Sequence, residues 1–344
     1  MKKLRIGVIG AGKISEVLHV PNTVSSKYAE LVGIADSNEQ RLSLFKSLLK
    51  DERVHFYTEY HELLERDDVD AVIVALPNYL HARVTIEALE KGKNVLVEKP
   101  MATSFKEAME MLRTAKEVKR VLMPNHSQRF FPHHLKAKEI IQSGLLGNIR
   151  LVKTMFSHSG PENWSPNANW FFQKNSAMFG ALGDLGIHKI DLIRYLTGLE
   201  VTECIGITTT LEKRGTVEDI GSAILKLSNG AIATLDANWI TKGLEENYFV
   251  IYGENGTLKI GQTDPSKIDV YLARPVEMHG ETSVRPLFTN QDPFWKMPII
   301  DHFSKVCLGL EEPIVRAEDG VIGIKIIEKI FESSNKGGVV RIEQ

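Results

Sequence analysis

The sequence predicts an α/β protein with two parts: an N-terminal doubly wound parallel sheet, and a C-terminal α+β domain with a large, open and mostly antiparallel sheet. Three observations support this. Short β-rich runs alternate with helical patterns early in the chain, the strands after about residue 126 largely follow one another directly, and 344 residues exceed one ordinary core. We place the domains at residues 1–123 and 124–344.

The first domain is predicted from strands that are apolar at consecutive positions, which is typical of a sheet covered on both faces. Segments with helical spacing of apolar residues lie between these strands, and Gly92 is placed to end one of the helices. The predicted strands are LRIGVIG, ELVGIAD, VHFY, AVIVALP, NVLVEK and RVLMPN, and the predicted helices are VLHVPNTVSS, EQRLSLFKSLLK, YHELLE, LHARVTIEALEKG and FKEAMEMLRTAKEV.

The second domain opens with a helix, PHHLKAKEIIQSG, in which we expect His133 and His134 to be solvated. The strand IRLVKTMFSHS, an irregular aromatic stretch and a helix from about residue 180 follow. Asn-Gly pairs mark hairpin turns between later strands. Those strands are VTECIGITTTLEK, DIGSAILKLS, AIATLDANWIT, ENYFVIYGE and TLKIG; two final helical segments, FWKMPIIDHFSKVCLG and EDGVIGIKIIEKIFESS, are candidates to pack back on the first domain.

Composition and charge exclude several classes of function. The chain is 43% hydrophobic and 25% charged with a net charge of −2, and it has no long basic run, so we expect neither nucleic acid nor a membrane surface as partner. No stretch approaches the length of a membrane span, and Arg5 breaks the apolar N-terminus, which argues against a signal peptide. Two cysteines, Cys204 and Cys307, indicate a reducing compartment. We expect a cytoplasmic enzyme.

GAGKIS, residues 10–15, lies between the first strand and a helix. Gly10 permits a tight turn, and Gly12 lets the backbone approach a pyrophosphate at the helix N-terminus, where free N–H groups favour an anion. Asp36 ends the second strand and is suited to accept hydrogen bonds from an adenosine ribose. A glycine turn that binds nothing is the alternative, but the full context favours a dinucleotide. Asp36 would repel a 2′-phosphate and so favours NAD, while Arg41 keeps NADP as an alternative.

GALGDLGIHKID, residues 180–191, aligns ionisable groups on one face of a predicted helix. Asp184 and His188 are four residues apart, and Asp191 follows three residues later. Half a metal site, a structural polar cluster and a proton-transfer pair all fit this spacing. Zinc needs a third ligand, and neither cysteine stands in a ligand-spaced motif, so we expect no metal.

These segments, together with ALPNYLH, VLVEKPMATS and QRF, resemble the Gfo/Idh/MocA oxidoreductases, a family that includes inositol and sugar dehydrogenases. The resemblance covers essentially the whole chain, and EKP and D-x-x-x-H are its most specific parts. It implies a Rossmann domain, a nicotinamide at the domain interface, and a homodimer or homotetramer formed through the C-terminal sheet. The implied catalytic residues are Lys99, Asp184 and His188; the candidate cofactor-binding residues are Gly10, Gly12, Lys13, Ile14, Asp36, Ser37, Leu76, Asn78, His81, Glu98, Lys99 and Arg129; the candidate substrate-binding residues are Lys99, Arg129, Trp164, Asp184 and His188.

Two departures from the family pattern concern the substrate. The glycine-rich lead-in to the Asp184 helix reads FGAL, and Trp170 is followed by Phe171 instead of leading to the arginine often found there. Aromatic residues of this stretch, including Trp164, can stack on a sugar or simply pack in a core.

The resemblance assigns a chemical role to each catalytic candidate. The ammonium of Lys99 would stabilise alkoxide character on the substrate, although most lysines are only surface groups. His188 would take the hydroxyl proton, because an imidazole titrates near neutral pH, and Asp184 would orient His188 or the substrate. A core histidine with a structural role is the alternative for His188.

The predicted reaction is reversible NAD(P)-linked oxidation of a secondary alcohol on a sugar, a sugar derivative or a cyclitol, so that the partner is a small polyhydroxylated molecule. Two other functions are kept open. One is an NAD-dependent glycosidase or lyase that oxidises its substrate transiently. The other is a non-catalytic NAD-binding regulator, for which a proton-transfer group would have no use.

Overall fold

A computed structural model of the chain describes residues 2–165, 169–261, 267–273, 283–284 and 298–343. The chain forms two compact units: Met1–Ser127 with Pro293–Ile322, and Gln128–Asp292 with Gly323–Gln344. The predicted helical segment that begins at Phe294 lies partly outside the described residues.

The first unit contains a parallel sheet of six strands in the order β3-β2-β1-β4-β5-β6, which is doubly wound. The strands that form its centre are almost fully buried, as their apolar runs predict. The strands are β1 (Leu4–Ile9), β2 (Ala29–Ala35), β3 (His55–Tyr57), β4 (Ala71–Val74), β5 (Asn94–Val97) and β6 (Leu122–Pro124). Because they all run parallel, the residues that follow their carboxyl ends lie along one edge of the sheet.

Helices connect these strands, and two of them begin at a side chain that caps the backbone. The Asn38 side chain accepts hydrogen bonds from the N–H groups of Gln40 and Arg41, and Ser104 accepts one from Glu107. A π-helical turn, Ser15–His19, leads into the first α-helix. The α-helices are α1 (Val20–Ser25), α2 (Glu39–Leu49), α3 (Tyr60–Leu64), α4 (Asn78–Glu90) and α5 (Phe105–Glu117).

The second unit has a sheet of nine strands in the described ranges, in the order β14-β13-β12-β11-β7-β10-β9-β8-β15. β7 and β10 pair in parallel, and the other neighbours pair antiparallel. The strands are β7 (Ile149–Ser157), β8 (Val201–Thr209), β9 (Ile220–Leu227), β10 (Ile232–Asn238), β11 (Glu246–Gly253), β12 (Gly256–Ile260), β13 (Ile268–Leu272), β14 (Ser283–Val284) and β15 (Val340–Arg341).

Burial alternates along β9, so that one face of the sheet is buried and the other is exposed. The helices of this unit are α6 (Pro132–Gln142), α7 (Lys174–Ala177) and α8 (Ile187–Thr197). α8 contacts β7 and β10 and is buried along most of its length. It ends at Gly198, whose φ of +71° is a left-handed conformation that glycine adopts without strain.

Two helices lie near the C-terminus, α9 (Ile299–Cys307) and α10 (Ala317–Lys336). α9 belongs to the first unit, where it packs on α1 and β2 and where Ser26 donates a hydrogen bond to Asp301. α10 begins in the first unit and continues into the second. None of the helices in the described ranges is both long and apolar enough to cross a membrane.

Candidate active site

The glycine turn after β1 has the shape that a dinucleotide requires. Gly10 has φ of +104°, and a Cβ there would lie 2.1 Å from the carbonyl oxygen of Ala75, so only glycine fits. A Cβ on Gly12 would meet nothing within 4 Å, which leaves open space beside the backbone N–H groups. Ser15, which stands where the G-x-G-x-x-G pattern of dinucleotide-binding turns has its third glycine, is buried and donates a hydrogen bond of 2.5 Å to the carbonyl of Gly10. The turn therefore forms a cradle that fits a pyrophosphate.

Asp36 joins the end of β2 to this turn. Its Oδ2 accepts a hydrogen bond of 2.7 Å from the N–H of Ala11, and its Oδ1 accepts one of 2.8 Å from Asn38. Arg41 also points to the turn: its Nε donates to the carbonyl of Ala11 at 2.6 Å, and its Nη2 lies 2.9 Å from Glu16. The Arg41 guanidinium thus bonds to groups of the protein itself, and this favours NAD over a cofactor with a 2′-phosphate.

Three further candidates, two in this turn and one after Asp36, are more exposed. Lys13 forms an ion pair of 3.0 Å with Glu16, Ile14 is half-buried, and Ser37 lies at the surface beyond Asp36.

Lys99 follows β5 and is half-buried, and its neighbour Glu98 is buried in a polar network. Glu98 Oε1 lies 2.8 Å from His19 Nε2 and accepts a hydrogen bond of 2.5 Å from Asn125. Burial acts against ionisation of Glu98, but the hydrogen bond and the charge of His19, with the charge of Lys99, lower its pKa to about 2. The network connects the helix after the glycine turn to the ends of β5 and β6. His19 and Asn125 were not predicted, because both lie far from Glu98 in the sequence.

His81 links the two loops that flank this edge of the sheet. Its ring nitrogens lie 2.8 Å from the carbonyl oxygen of Pro100 and 2.7 Å from that of Leu76. Burial lowers the pKa of His81 below its usual value. His81 therefore positions the segment that carries Lys99. Asn78, the first residue of α4, lies three residues before His81 and is also buried.

In the second unit, Asp184 and His188 lie on consecutive turns of one helical segment. The segment begins with a π-helical turn, Leu182–Gly186, where the sequence predicted only an α-helix. Glycines at 183 and 186 leave room for this wider turn, since a Cβ on Gly183 would lie 2.5 Å from Phe179. Asp184 and His188 are both 7% exposed.

Asp184 has two further neighbours that sequence reasoning missed. The indole Nε1 of Trp239 donates to Asp184 Oδ2 at 3.1 Å, and His158 Nε2 lies 3.8 Å from the same oxygen. His158 Nδ1 accepts a hydrogen bond of 2.9 Å from the N–H of Gly160, which fixes its proton on Nε2. The phenyl ring of Phe156 lies about 6 Å from the rings of both His158 and His188. Asp184 is thus held in a buried polar pocket.

Arg129 and Asp191, which the sequence placed near this site, bind each other. Arg129 Nε and Nη2 donate to the two carboxylate oxygens of Asp191 at 2.9 and 2.6 Å, and both residues are buried. The guanidinium also lies 4.8 Å from the ring of Tyr195. Asp191 therefore supports the fold through this pair, and a contact of Arg129 with cofactor or substrate stays a prediction.

Trp164 lies in an aromatic cluster at the surface. Its indole is 41% exposed and packs edge-to-face on Phe171, with 5.2 Å between ring centroids, while Trp170 stacks on the same phenyl ring at 3.9 Å. An exposed indole in this setting can stack on a sugar ring. Among the described residues, no group of three or more His, Cys, Asp or Glu side chains is arranged to hold a metal ion.

Comparisons with known proteins agree with this geometry. A model of the oxidoreductase family with an NAD-binding Rossmann fold matches residues 4–126, and a model of the GFO/IDH/MocA C-terminal domain matches residues 134–259. The chain is 29% identical over 332 residues to dTDP-3,4-didehydro-2,6-dideoxy-alpha-D-glucose 3-reductase of Actinomadura kijaniata, covering 95% of this chain and 94% of the other.

Two more proteins extend the likeness. The chain is 34% identical over 241 residues to glucose-6-phosphate 3-dehydrogenase of Bacillus subtilis, covering 67% of this chain and 65% of that protein. The crystal structure of the WlbA dehydrogenase from Bordetella pertussis, solved with NADH and UDP-GlcNAcA, has a TM-score of 0.85 at 25% identity over 100% of both chains. The predicted fold class, the predicted NAD cofactor and the resemblance are confirmed. The chain belongs to the Gfo/Idh/MocA family of oxidoreductases.

Proposed function

We propose that this protein catalyses the reversible NAD-dependent oxidation of a secondary alcohol on a sugar, a sugar derivative or a cyclitol. The observation that carries the proposal is the buried Asp184 carboxylate, held by the Trp239 indole, with His188 one turn further along the same segment. The relatives support the substrate class, since they include a myo-inositol 2-dehydrogenase and a levoglucosan dehydrogenase as well as the two enzymes above.

The proposed mechanism assigns one task to each residue. His188 accepts the proton of the substrate hydroxyl, and Asp184 orients His188 or hydrogen-bonds a substrate hydroxyl. The ammonium of Lys99 lowers the pKa of the same hydroxyl and stabilises negative charge on its oxygen. Arg129 and Trp164 are proposed to line the substrate side.

The cofactor would be held by residues along the carboxyl edge of the parallel sheet. NAD supplies the redox chemistry when bound, by accepting or returning a hydride. Gly12 offers the open backbone for the pyrophosphate, and Asp36 the carboxylate for the ribose. Leu76, Asn78, His81 and Glu98 would contact the nicotinamide side, with Lys13, Ile14 and Ser37 nearer the adenosine.

Activity against a panel of inositols, sugars, sugar phosphates and nucleotide sugars tests the proposal through the absorbance of NADH. Lys99→Ala and His188→Ala should each lower kcat by about 10²–10⁴-fold, while the Kd for NADH stays near that of the wild type. Lys91→Ala and His55→Ala are matched controls, because both side chains are exposed. Unchanged turnover in either active-site variant would contradict the assignment.

The alternative reactions predict different products. A glycosidase or lyase that oxidises its substrate only transiently would retain NAD through purification and would form no net NADH during turnover. A non-catalytic regulator would bind NAD tightly but turn over no member of the panel. Net NADH formation with a polyol therefore excludes both.

We also propose that the exposed face of the second sheet forms a homodimer or a homotetramer. Ile205 of β8 and Ile224 of β9 are register partners, and with Ile207 they expose 40%, 50% and 69% of their surface. Ile207→Lys together with Ile224→Lys should lower the mass measured by light scattering to that of a monomer. A monomeric wild-type protein would contradict this.

A cytoplasmic location is the last part of the proposal. It is supported by two free thiols, of which Cys204 is buried and Cys307 is half-buried, because disulfides form mainly in oxidising compartments. Fractionation of cells that produce the native protein tests it.

A further inference from the structure

The beginning of the segment that carries Asp184 and His188 is held by one residue outside it. Glu218 lies two residues before β9, next to Asp219, and is 5% exposed. Both of its carboxylate oxygens accept from the N–H of Gly180 at 2.9 Å, and one also accepts from Leu182 at 3.0 Å. Its backbone carbonyl accepts from Ala181 at 3.1 Å. One residue therefore binds three successive N–H groups where the segment begins.

The packing at this contact leaves little room for adjustment. A Cβ on Gly180 would lie 1.8 Å from the carbonyl oxygen of Glu218, and a Cβ on Gly221 would lie 2.3 Å from Leu182 Cγ. This explains why the FGAL lead-in keeps its glycine at position 180. Because the chain around Glu218 is in direct contact with the segment, a shift of Glu218 also shifts the turn that carries Asp184.

The charges around Glu218 make its ionisation sensitive to pH. Burial raises the pKa of Glu218 to about 7, although hydrogen bonds from the N–H groups of Gly180 and Leu182 favour the charged form, and the carboxylate of Asp219 acts in the same direction as burial. Asp219 is itself bound by three N–H groups, those of residues 211–213. That loop contains two cations, Lys213 and Arg214, and Lys213 directs its Nζ to Glu162 and to the carbonyl of Ser159. On the segment itself, up to residue 188, the ionisable residues are Asp184 and His188.

We propose that Glu218 is a positioning residue of the active site, whose ionised carboxylate sets the position of Asp184 and His188. The inference rests on the proposed function where it concerns catalysis. A carboxylate accepts charge-assisted hydrogen bonds, which are shorter and stronger than those of a neutral acceptor. When Glu218 takes up a proton, one oxygen becomes a hydroxyl, and the hold on Gly180 and Leu182 weakens.

Glu218→Gln is the central variant, since it keeps the shape of the side chain but removes its charge and its titration. We expect kcat to fall by about 10–100-fold, because a displacement on the order of 1 Å is sufficient for such a loss. The Kd for NADH should stay within about twofold of wild type, as Gly12 and Asp36, which are proposed to hold the cofactor, lie in the other unit. Glu212→Gln is the matched control, because the Glu212 side chain pairs with Lys242 at the surface.

The pH profile separates positioning from a purely structural role. In the wild-type enzyme Glu218 loses a proton as the pH rises towards neutrality, so log kcat should fall below pH 7. Glu218→Gln removes this ionisation, so its log kcat should depend less on pH in the same range. Glu218→Asp keeps a carboxylate on a shorter side chain, so it should retain the dependence on pH at a reduced kcat.

Hydrogen exchange of the amides in residues 180–188 provides a readout that needs no substrate. Exchange in Glu218→Gln should be faster by about tenfold, and that in Glu212→Gln unchanged. Wild-type exchange in Glu218→Gln overturns the inference, as does a wild-type kcat with an unaltered dependence on pH. If the wild-type protein oxidises no member of the panel, the proposed function fails, and the exchange experiment still decides the role of Glu218 in holding the segment.

Discussion

Replacing His19 by leucine should lower the unfolding free energy of the first unit by about 3 kcal/mol at pH 7. His19 is fully buried and lies 2.8 Å from Glu98, which is 8% exposed. Leucine fills a similar volume but supplies no hydrogen bond and no charge. Glu98 would then keep Asn125 as its side-chain partner in the network. The loss of the main partner of a buried carboxylate strongly destabilises the folded state.

The magnitude follows from the pKa of Glu98. Burial opposes its ionisation, yet His19 and Lys99 lower the pKa from 4.5 to about 2. Each pKa unit corresponds to about 1.4 kcal/mol, so the shift corresponds to about 3 kcal/mol. Because the pKa is lowered on folding, this stability is complete above pH 4.5 and is lost as the pH falls towards 2.

Differential scanning calorimetry or urea unfolding, read at the transition of the first unit, measures the effect. His19→Leu, Glu98→Gln and the double variant complete a cycle, with His55→Leu as a control at an exposed position of β3. The cost of His19→Leu should shrink to about half or less at pH 3, and it should largely disappear when Glu98 is already glutamine. A cost below about 1 kcal/mol at pH 7, or one that does not change with pH, would refute the reasoning.

Three more predictions concern single contacts. Arg129→Met removes the bidentate partner of Asp191 and should destabilise the second unit by about 3–5 kcal/mol, with most of the loss recovered when Asp191→Leu is added; chemical denaturation checks both. Trp239→Phe removes the indole N–H that binds Asp184, and steady-state kinetics should show a kcat about tenfold lower with the Kd for NADH unchanged. Asp36→Ala should lower the preference for NAD over NADP by about tenfold in kcat/KM, and an unchanged ratio would exclude Asp36 as the selectivity residue.

Local patterns in the sequence predict the parts of the site that depend on local conformation. The glycine turn was predictable because Gly10 must adopt a positive φ directly after a buried strand, and a strand followed by a helix fixes that geometry. The carboxyl ends of parallel strands then bring the residues near Asp36 and Lys99 to one edge of the sheet.

Partners from distant segments could not be predicted in this way. Glu98 lies next to Lys99 in the sequence, but its main partner is His19, 79 residues earlier. His134 was expected to be solvated, since it opens a helix after a proline. That prediction is wrong: packing against Phe131 and Phe249 buries its ring, and burial lowers its pKa well below the usual value.

The pairing of β7 with β10 in parallel also escaped prediction. The two strands are separated by α7, α8 and the hairpin of β8 and β9. The residue pattern of each strand would be the same if its neighbour ran antiparallel. Trp239 follows β10 directly, and β10 lies beside β7, which is followed by His158. Recognising that both reach Asp184 requires the strand order.

The return of the chain to the first unit through α9 has a consequence for synthesis on the ribosome. Residues 293–322 complete a structure that begins at residue 1, and α9 covers part of β2 and α1. The N-terminal strands therefore emerge long before this part of their covering exists, while the intervening unit is still being made. A nascent chain that ends near residue 290 should expose apolar surface of the first unit, and chaperone binding to stalled chains should fall once α9 has left the exit tunnel.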